Sequence, residues 1–170
     1  MRKVWLTIAS SALVATLLGL MGCGNPTPGE SNFNLIFKYG VSAKNILDTF
    51  EGTYTKDMVM DPSITVNISL SEEELDRIYK KMVKIDFFSY PEKFKVSPSL
   101  GEIVGIVTLY SRYYFRVEYD SQIKELSWDD ELIYKDEKAD RLREVIKLIR
   151  DIIESKEEYK ELPEPTSGYL

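Results

Sequence analysis

Between Ile103 and Trp128 the chain alternates apolar and polar residues with a period of two, interrupted only by short polar pairs. That period belongs to strands, since successive side chains on a strand point to opposite faces. Taking two-residue turns at Ser111-Arg112 and Asp120-Ser121 yields a meander of three strands, 103–110, 113–119 and 123–128. One face then gathers Val104, Ile106, Tyr110, Tyr113, Phe115, Val117, Leu126 and Trp128. The other gathers Val107, Leu109, Tyr114, Arg116, Glu118 and Glu125, with Arg116 opposite Glu125. A sheet sorted this way has one face to bury and needs a second layer to bury it against.

Two amphipathic helices supply that layer. Ser71-Glu72-Glu73-Glu74 has the capping-box pattern, in which the Ser hydroxyl and the Glu carboxylate each satisfy the other's backbone amide. Leu75, Ile78, Tyr79, Met82 and Val83 follow on one helical face. Acids lie at the start and Lys80, Lys81 and Lys84 at the end, as the helix dipole favours. The second helix, over 138–157, carries Leu142, Val145, Ile146, Ile149, Ile152 and Ile153 as one stripe. Earlier in the chain, alternation marks a strand from Phe33 to Tyr39 and another over 64–70. A hairpin of 46–50 and 53–59 around Glu51-Gly52 lies between them. Phe87 to Pro98 reads as an irregular connection. Strands in blocks, with no βαβ rhythm, imply an α+β fold: a mostly antiparallel sheet with two amphipathic helices packed on one face.

The first residues do not belong to that body. Val4 to Met21 contains no charge, follows Arg2 and Lys3, and has no cationic cluster after it. This is the layout of a cleaved secretory signal rather than of a membrane span. It closes on Leu20-Met21-Gly22-Cys23, and Cys23 is the only cysteine in the chain. These four residues resemble the lipobox of bacterial lipoproteins, although Met21 is bulkier than usual at its position. The resemblance implies cleavage between Gly22 and Cys23, a diacylglycerol on the Cys23 thiol, and a further acyl chain on the new amino group in some organisms. It also implies the extracytoplasmic face of a cell membrane. With Gly rather than Asp at 24, that membrane is the outer one where an organism has two. The expected organisation is a signal over 1–22, a Pro/Gly-rich tether over 23–32 and a single α+β domain over 33–170. The body is similar in style to the many uncharacterised small lipoproteins of bacterial envelopes, without a specific motif.

Charge and missing residue types narrow the chemistry. Residues 1–22 hold two of the 22 cations and none of the 28 acids, so the remaining 148 residues carry a net −8. An acidic body lacks the basic footprint of a nucleic-acid binder, and acyl chains remain the only membrane signal. There is no His, which excludes Ser-His-Asp and Cys-His catalysis and His-ligated zinc. With Cys23 acylated no thiol nucleophile is left. No cofactor is expected.

Three acidic or aromatic groupings remain. Asp129, Asp130 and Glu131 with Asp136, Glu137 and Asp140 are the densest acids, but their spacing does not match a calcium loop. They read as a solvated loop flanking a helix start, with calcium binding left open. Asp57 and Asp61 flank a turn at Pro62 and read as turn chemistry rather than a catalytic pair. Tyr114 and Arg116, directed away from the core by strand parity, are residue types enriched at recognition sites. They are the binding candidates, for an envelope protein, peptide or glycan. The expected function is a non-enzymatic binding or interaction module. The alternative is a carboxylate-based hydrolase of envelope polymers, which a cleft lined by two or more acids would favour. Leu162 to Gly168 is superficially similar to the sortase sorting signal, but Pro165 is inserted and no hydrophobic tail follows, so a frayed C-terminal tail is expected.

Overall fold

The computed structural model describes residues 32–169, so the signal, Gly22, Cys23 and most of the tether lie outside the described residues. Seven strands form one sheet: β1 (Asn34–Tyr39), β2 (Asn45–Asp48), β3 (Thr53–Met58), β4 (Asp61–Asn67), β5 (Lys93–Phe94), β6 (Gly105–Tyr119) and β7 (Gln122–Ile133). Their order is β4-β3-β2-β1-β6-β7-β5. Every pairing is antiparallel except β5 with β7. Helices α1 (Glu72–Lys84) and α2 (Glu137–Ser155) pack on one face, and a single turn of helix, α3 (Glu157–Lys160), follows them. The architecture is α+β with a mostly antiparallel sheet.

The core is assembled from the inward parity of the strands and the stripes of the helices. Leu35 and Phe37 of β1, Phe115 and Val117 of β6, and Leu126 and Trp128 of β7 are buried against Ile78 and Met82 of α1. Helix α2 adds Ala139, Leu142, Val145, Ile146, Ile149, Ile152 and Ile153. Phe37 lies 4.7 Å from Phe115, ring centroid to centroid, and Phe87 meets Phe115 edge-on at 5.3 Å.

Several local expectations are corrected. First, there is no turn at Ser111-Arg112. Strand β6 runs through, with Ser111 opposite Asp130 and Arg112 opposite Asp129. A tight hairpin turn wants residues that tolerate positive φ, which Ser-Arg does not offer. The Arg112 amide instead donates to the Gly40 carbonyl at 2.9 Å, and the register slips between Ile106 and Ser111 as in a bulge. Asp120 and Ser121, with φ of 47° and 63°, do form the expected hairpin turn. Because β1 pairs only with Tyr114 to Glu118, the hairpin beyond Ser111 projects past the sheet. Of Val104, Ile106 and Tyr110, expected in the core, none is buried, and Ile106 is 74 % exposed.

Second, Asp129 to Glu131 are strand rather than solvated loop, because β7 continues to Ile133 to pair with the longer β6. Third, β4 spans Asp61–Asn67 rather than 64–70, and Ile68, though still buried, leaves the ladder to donate to the Gly52 carbonyl at 2.9 Å. Lys93–Phe94, expected to be irregular, forms β5 beside Ser127–Trp128. Fourth, the C-terminal residues are docked rather than frayed. Leu162 is buried, Glu164 pairs with the buried Lys56 at 3.0 Å, Thr166 donates to Asp61 at 2.6 Å, and Tyr169 donates to Asp57.

The capping box forms as expected: the Glu74 amide donates to Ser71 Oγ at 3.3 Å and the Ser71 amide donates to Glu74 Oε2 at 2.8 Å. Lys156, at the end of α2, also donates to Glu74 at 2.6 Å, so one carboxylate joins the start of α1 to the end of α2. Burial opposes the charge on Glu74, but the Lys156 and Ser71 contacts outweigh it and hold the carboxyl below its usual 4.5. A depressed carboxylate contributes stability above its unfolded value, and the contribution disappears as pH falls through the folded value. Glu74→Gln preserves the cap and removes the charge. It is expected to lower stability by about 1 kcal/mol at neutral pH and to flatten the loss of stability below pH 4.5, read by urea unfolding across pH. An unchanged acid limb would mean that Glu74 is not the group responsible.

Candidate binding face

The outward parity of the sheet brings Tyr114 and Arg116 to its middle, on the side away from α1 and α2. Across the strands, Lys38 of β1 is opposite Tyr114 of β6, which is opposite Ser127 of β7. One step along, Ile36, Arg116 and Glu125 form the next row. The expected pairing of Arg116 with Glu125 is therefore present in the backbone register. None of Ile36, Lys38, Tyr114 or Arg116 is buried, and all four are half-covered by their neighbours. Residues so placed keep part of each side chain open to a ligand.

Lys38 Nζ sits 5.6 Å from the centre of the Tyr114 ring, a cation–π distance. Partial burial raises the Tyr114 hydroxyl above its usual 10.0, and the adjoining Glu125 carboxylate raises it further, so the hydroxyl stays a proton donor. Arg116 Nε is buried without a hydrogen-bond partner. The patch thus combines a flat ring, two cations and one carboxylate within two rows of the sheet. It can stack against a planar or sugar ring and hydrogen-bond polar groups around it. Lys38 is the member that sequence reasoning missed. Its parity on β1 was readable, but its neighbour depended on knowing that β1 lies against β6.

The acidic groupings fall elsewhere. Asp57, buried at the end of β3, and Asp61 at the start of β4 both accept from the C-terminal segment, so neither faces an open cleft as a pair. Asp130 accepts from Arg143 Nε at 3.0 Å and Nη2 at 2.5 Å, while Arg143 also reaches Asp140 at 2.7 Å. Asp136 caps α2 by accepting from the Ala139 amide at 2.8 Å, and Glu137 pairs with Arg141. Among the described residues, no three acids converge as a cation cage requires. A cleft of about 240 Å³ beside β5 is lined by Asp129, Asp130 and Glu131, together with Lys93 and Lys95. Strand alternation turns Asp130 to the opposite side from Asp129 and Glu131, and Arg112 lies 3.6 Å from Asp129.

A general acid needs a carboxyl pushed upward. The shifts go the other way at Glu74, at Glu102, where Tyr134 and the Ser99 amide donate to it, and at Glu144, which Lys81 pairs with. One further feature escaped the sequence: the projecting β6–β7 arm exposes Ile103, Ile106, Leu109 and Ile133. Its signal was present only as the poor turn chemistry of Ser111-Arg112. Among the described residues no helix is long and apolar enough to cross a membrane. No family model matches this chain, and no curated protein is similar to it.

Proposed function

We propose that this chain is a lipid-anchored lipoprotein of the bacterial envelope whose domain is a non-enzymatic binding module, with the outer sheet face around Tyr114 and Arg116 as its recognition surface. The observation that carries the reading is the half-covered Tyr114 ring, bordered by Lys38, Arg116 and Glu125 on the side opposite both long helices. A rigid aromatic ring with fixed charges around it costs little entropy to present, which is what a recognition site needs. The address comes from Gly22-Cys23 at the end of the apolar leader. A tether ending at Asn32 would hold the module at the extracytoplasmic face of the membrane, within reach of envelope proteins, peptides and glycans.

The double variant Tyr114→Ser, Arg116→Ser tests this. Both side chains point away from the core, so the thermal midpoint is expected to stay within a few degrees of wild type. Recovery of envelope protein or peptidoglycan fragments on the detergent-solubilised, Cys23-intact chain is expected to fall at least about tenfold. A large loss of stability would make Tyr114 a packing residue; unchanged recovery would move the site elsewhere.

The second reading, a carboxylate hydrolase, draws on the acid-lined cleft beside β5. Asp129 lies beside Arg112, Asp130 is paired with Arg143 and two lysines line the same cleft, an arrangement for neutralised charge rather than for a proton-donating pair. Turnover of envelope polymers that disappears in Asp129→Asn or Glu131→Gln would favour it over the binding module.

A further inference from the structure

The folded chain begins at the same end of the molecule as an uncovered apolar groove. Phe33, fully buried, packs its ring 5.5 Å from that of Tyr79 on α1. Tyr79 in turn stacks on Tyr119 at 4.4 Å and lies 6.3 Å from Phe88. Together with Val83 and Ile123 these rings line a groove of about 340 Å³. Its rim is open: Val83 is 51 % and Phe88 38 % exposed, whereas Ile123, opposite Glu118, turns its side chain to the other face of the sheet. Val83 comes from α1, Phe88 from the turn after it and Tyr119 from β6, so no single element accounts for their convergence.

We infer that this groove is a bilayer-contacting surface, with Val83 and Phe88 entering the headgroup–acyl boundary. The inference rests on the proposed acylation of Cys23. Residues 24–32, nine in all, separate that cysteine from Phe33, and nine extended residues reach at most roughly 30 Å. The chain enters the sheet with Asn34 opposite Glu118, next to the hairpin turn that adjoins Ile123. The groove therefore lies at the end of the domain where the tether joins it. The projecting arm lies at the other end of β6, up to roughly 40 Å away along the strand.

Exposed apolar groups gathered on one surface mark an interaction site, and apolar and aromatic side chains are what an interfacial contact inserts. The surrounding charge is mixed. Lys124 borders the groove and Lys84 adjoins Val83 on α1, while Lys80 is paired with Asp76 at 2.7 Å, and Asp120 sits in the hairpin turn. Contact by this surface is accordingly apolar and does not depend on anionic lipid. It would fix the orientation of the domain, leaving the arm pointing away from the membrane.

The test uses the full acylated chain carrying Phe88→Cys, Val83→Cys or, as the distal control, Ile106→Cys. With the Cys23 sulfur in a thioether, the introduced thiol is the one available to an environment-sensitive fluorophore. Each labelled chain is reconstituted into vesicles of phosphatidylcholine, and separately of phosphatidylethanolamine with phosphatidylglycerol, containing spin-labelled lipid as quencher. Intact mass reports the acyl groups, and circular dichroism reports the fold. Probes at 88 and 83 are expected to be quenched severalfold more strongly than the probe at 106, equally in both lipid mixtures. Equal, weak quenching at all three sites in a chain of acylated mass would overturn the groove inference while leaving the anchor standing. A probe at 88 shielded from water yet not quenched by lipid would mean that protein covers the groove, and would overturn it too. A chain without acyl mass would overturn both readings, because the groove is placed by the tether.

Discussion

Ile149→Asp is expected to abolish the cooperative unfolding transition, whereas Lys147→Asp leaves it nearly unchanged. The two positions are two residues apart on α2 and differ only in the face they occupy. Ile149 is fully buried in the stripe that α2 lays on the core. Removing a buried side chain of that size forfeits about 1.5–3 kcal/mol of burial. The carboxylate put in its place has no cation within the stripe of Leu142, Val145, Ile146, Ile152 and Ile153. An uncompensated buried charge adds about 3–5 kcal/mol or forces the group to protonate. Together these approach the whole stability of an ordinary domain, about 5–15 kcal/mol.

Lys147 by contrast has a side chain 74 % exposed and paired with Asp151 one turn away at 2.6 Å. Reversing its charge costs about 0.5 kcal/mol. Urea unfolding followed by circular dichroism separates the two outcomes, and Ile149→Val, expected to cost about 0.5–1.5 kcal/mol, calibrates the site. Equal losses from the two acid substitutions would mean that the buried face of α2 is misassigned.

The parts of the fold that were legible from sequence are those fixed by local chemistry. Ser71 and Glu74 specify a helix start within four residues, and the α2 stripe repeats often enough to leave one inward face. Asp120-Ser121 combines residues that tolerate positive φ at the one place where the alternation breaks cleanly. From that turn outward the β6–β7 register follows by counting, which is why Arg116 falls opposite Glu125. The illegible parts depend on partners distant in sequence. Whether Ile106 is core is decided by where β1 ends on β6, not by anything near residue 106. Lys38 reaches Tyr114 only because the sheet order sets β1 beside β6. The C-terminal segment looks unstructured in isolation, since its order comes from Lys56, Asp57 and Asp61, about a hundred residues earlier. The groove is assembled in the same way, from α1, a turn and a hairpin tip.

Cys23→Ser is expected to abolish incorporation of a fatty-acid analogue altogether, and to leave the chain either released from the membrane or held there only by an uncleaved leader. Cys23 is the single cysteine of the 170 residues, so no second thiol can substitute. A Ser hydroxyl, far less nucleophilic than a thiolate, does not form the thioether on which lipobox processing depends. The cut after Gly22 should then fail with the acylation, and intact mass should show residues 1–22 still attached. The energetic consequence is large, because each acyl methylene buried in lipid contributes about 0.8 kcal/mol and two chains turn a reversible contact into stable anchoring. No apolar groove replaces that. Loss of the lipid should therefore remove membrane residence while leaving the sheet, both long helices and the Tyr114 face intact. Unchanged circular dichroism beside altered fractionation is the combination that separates an anchoring defect from a folding one. A Cys23→Ser chain that is still cut after Gly22 and still sediments with membranes would show that something other than the lipid holds the protein, and the tether argument for the groove would lose its premise.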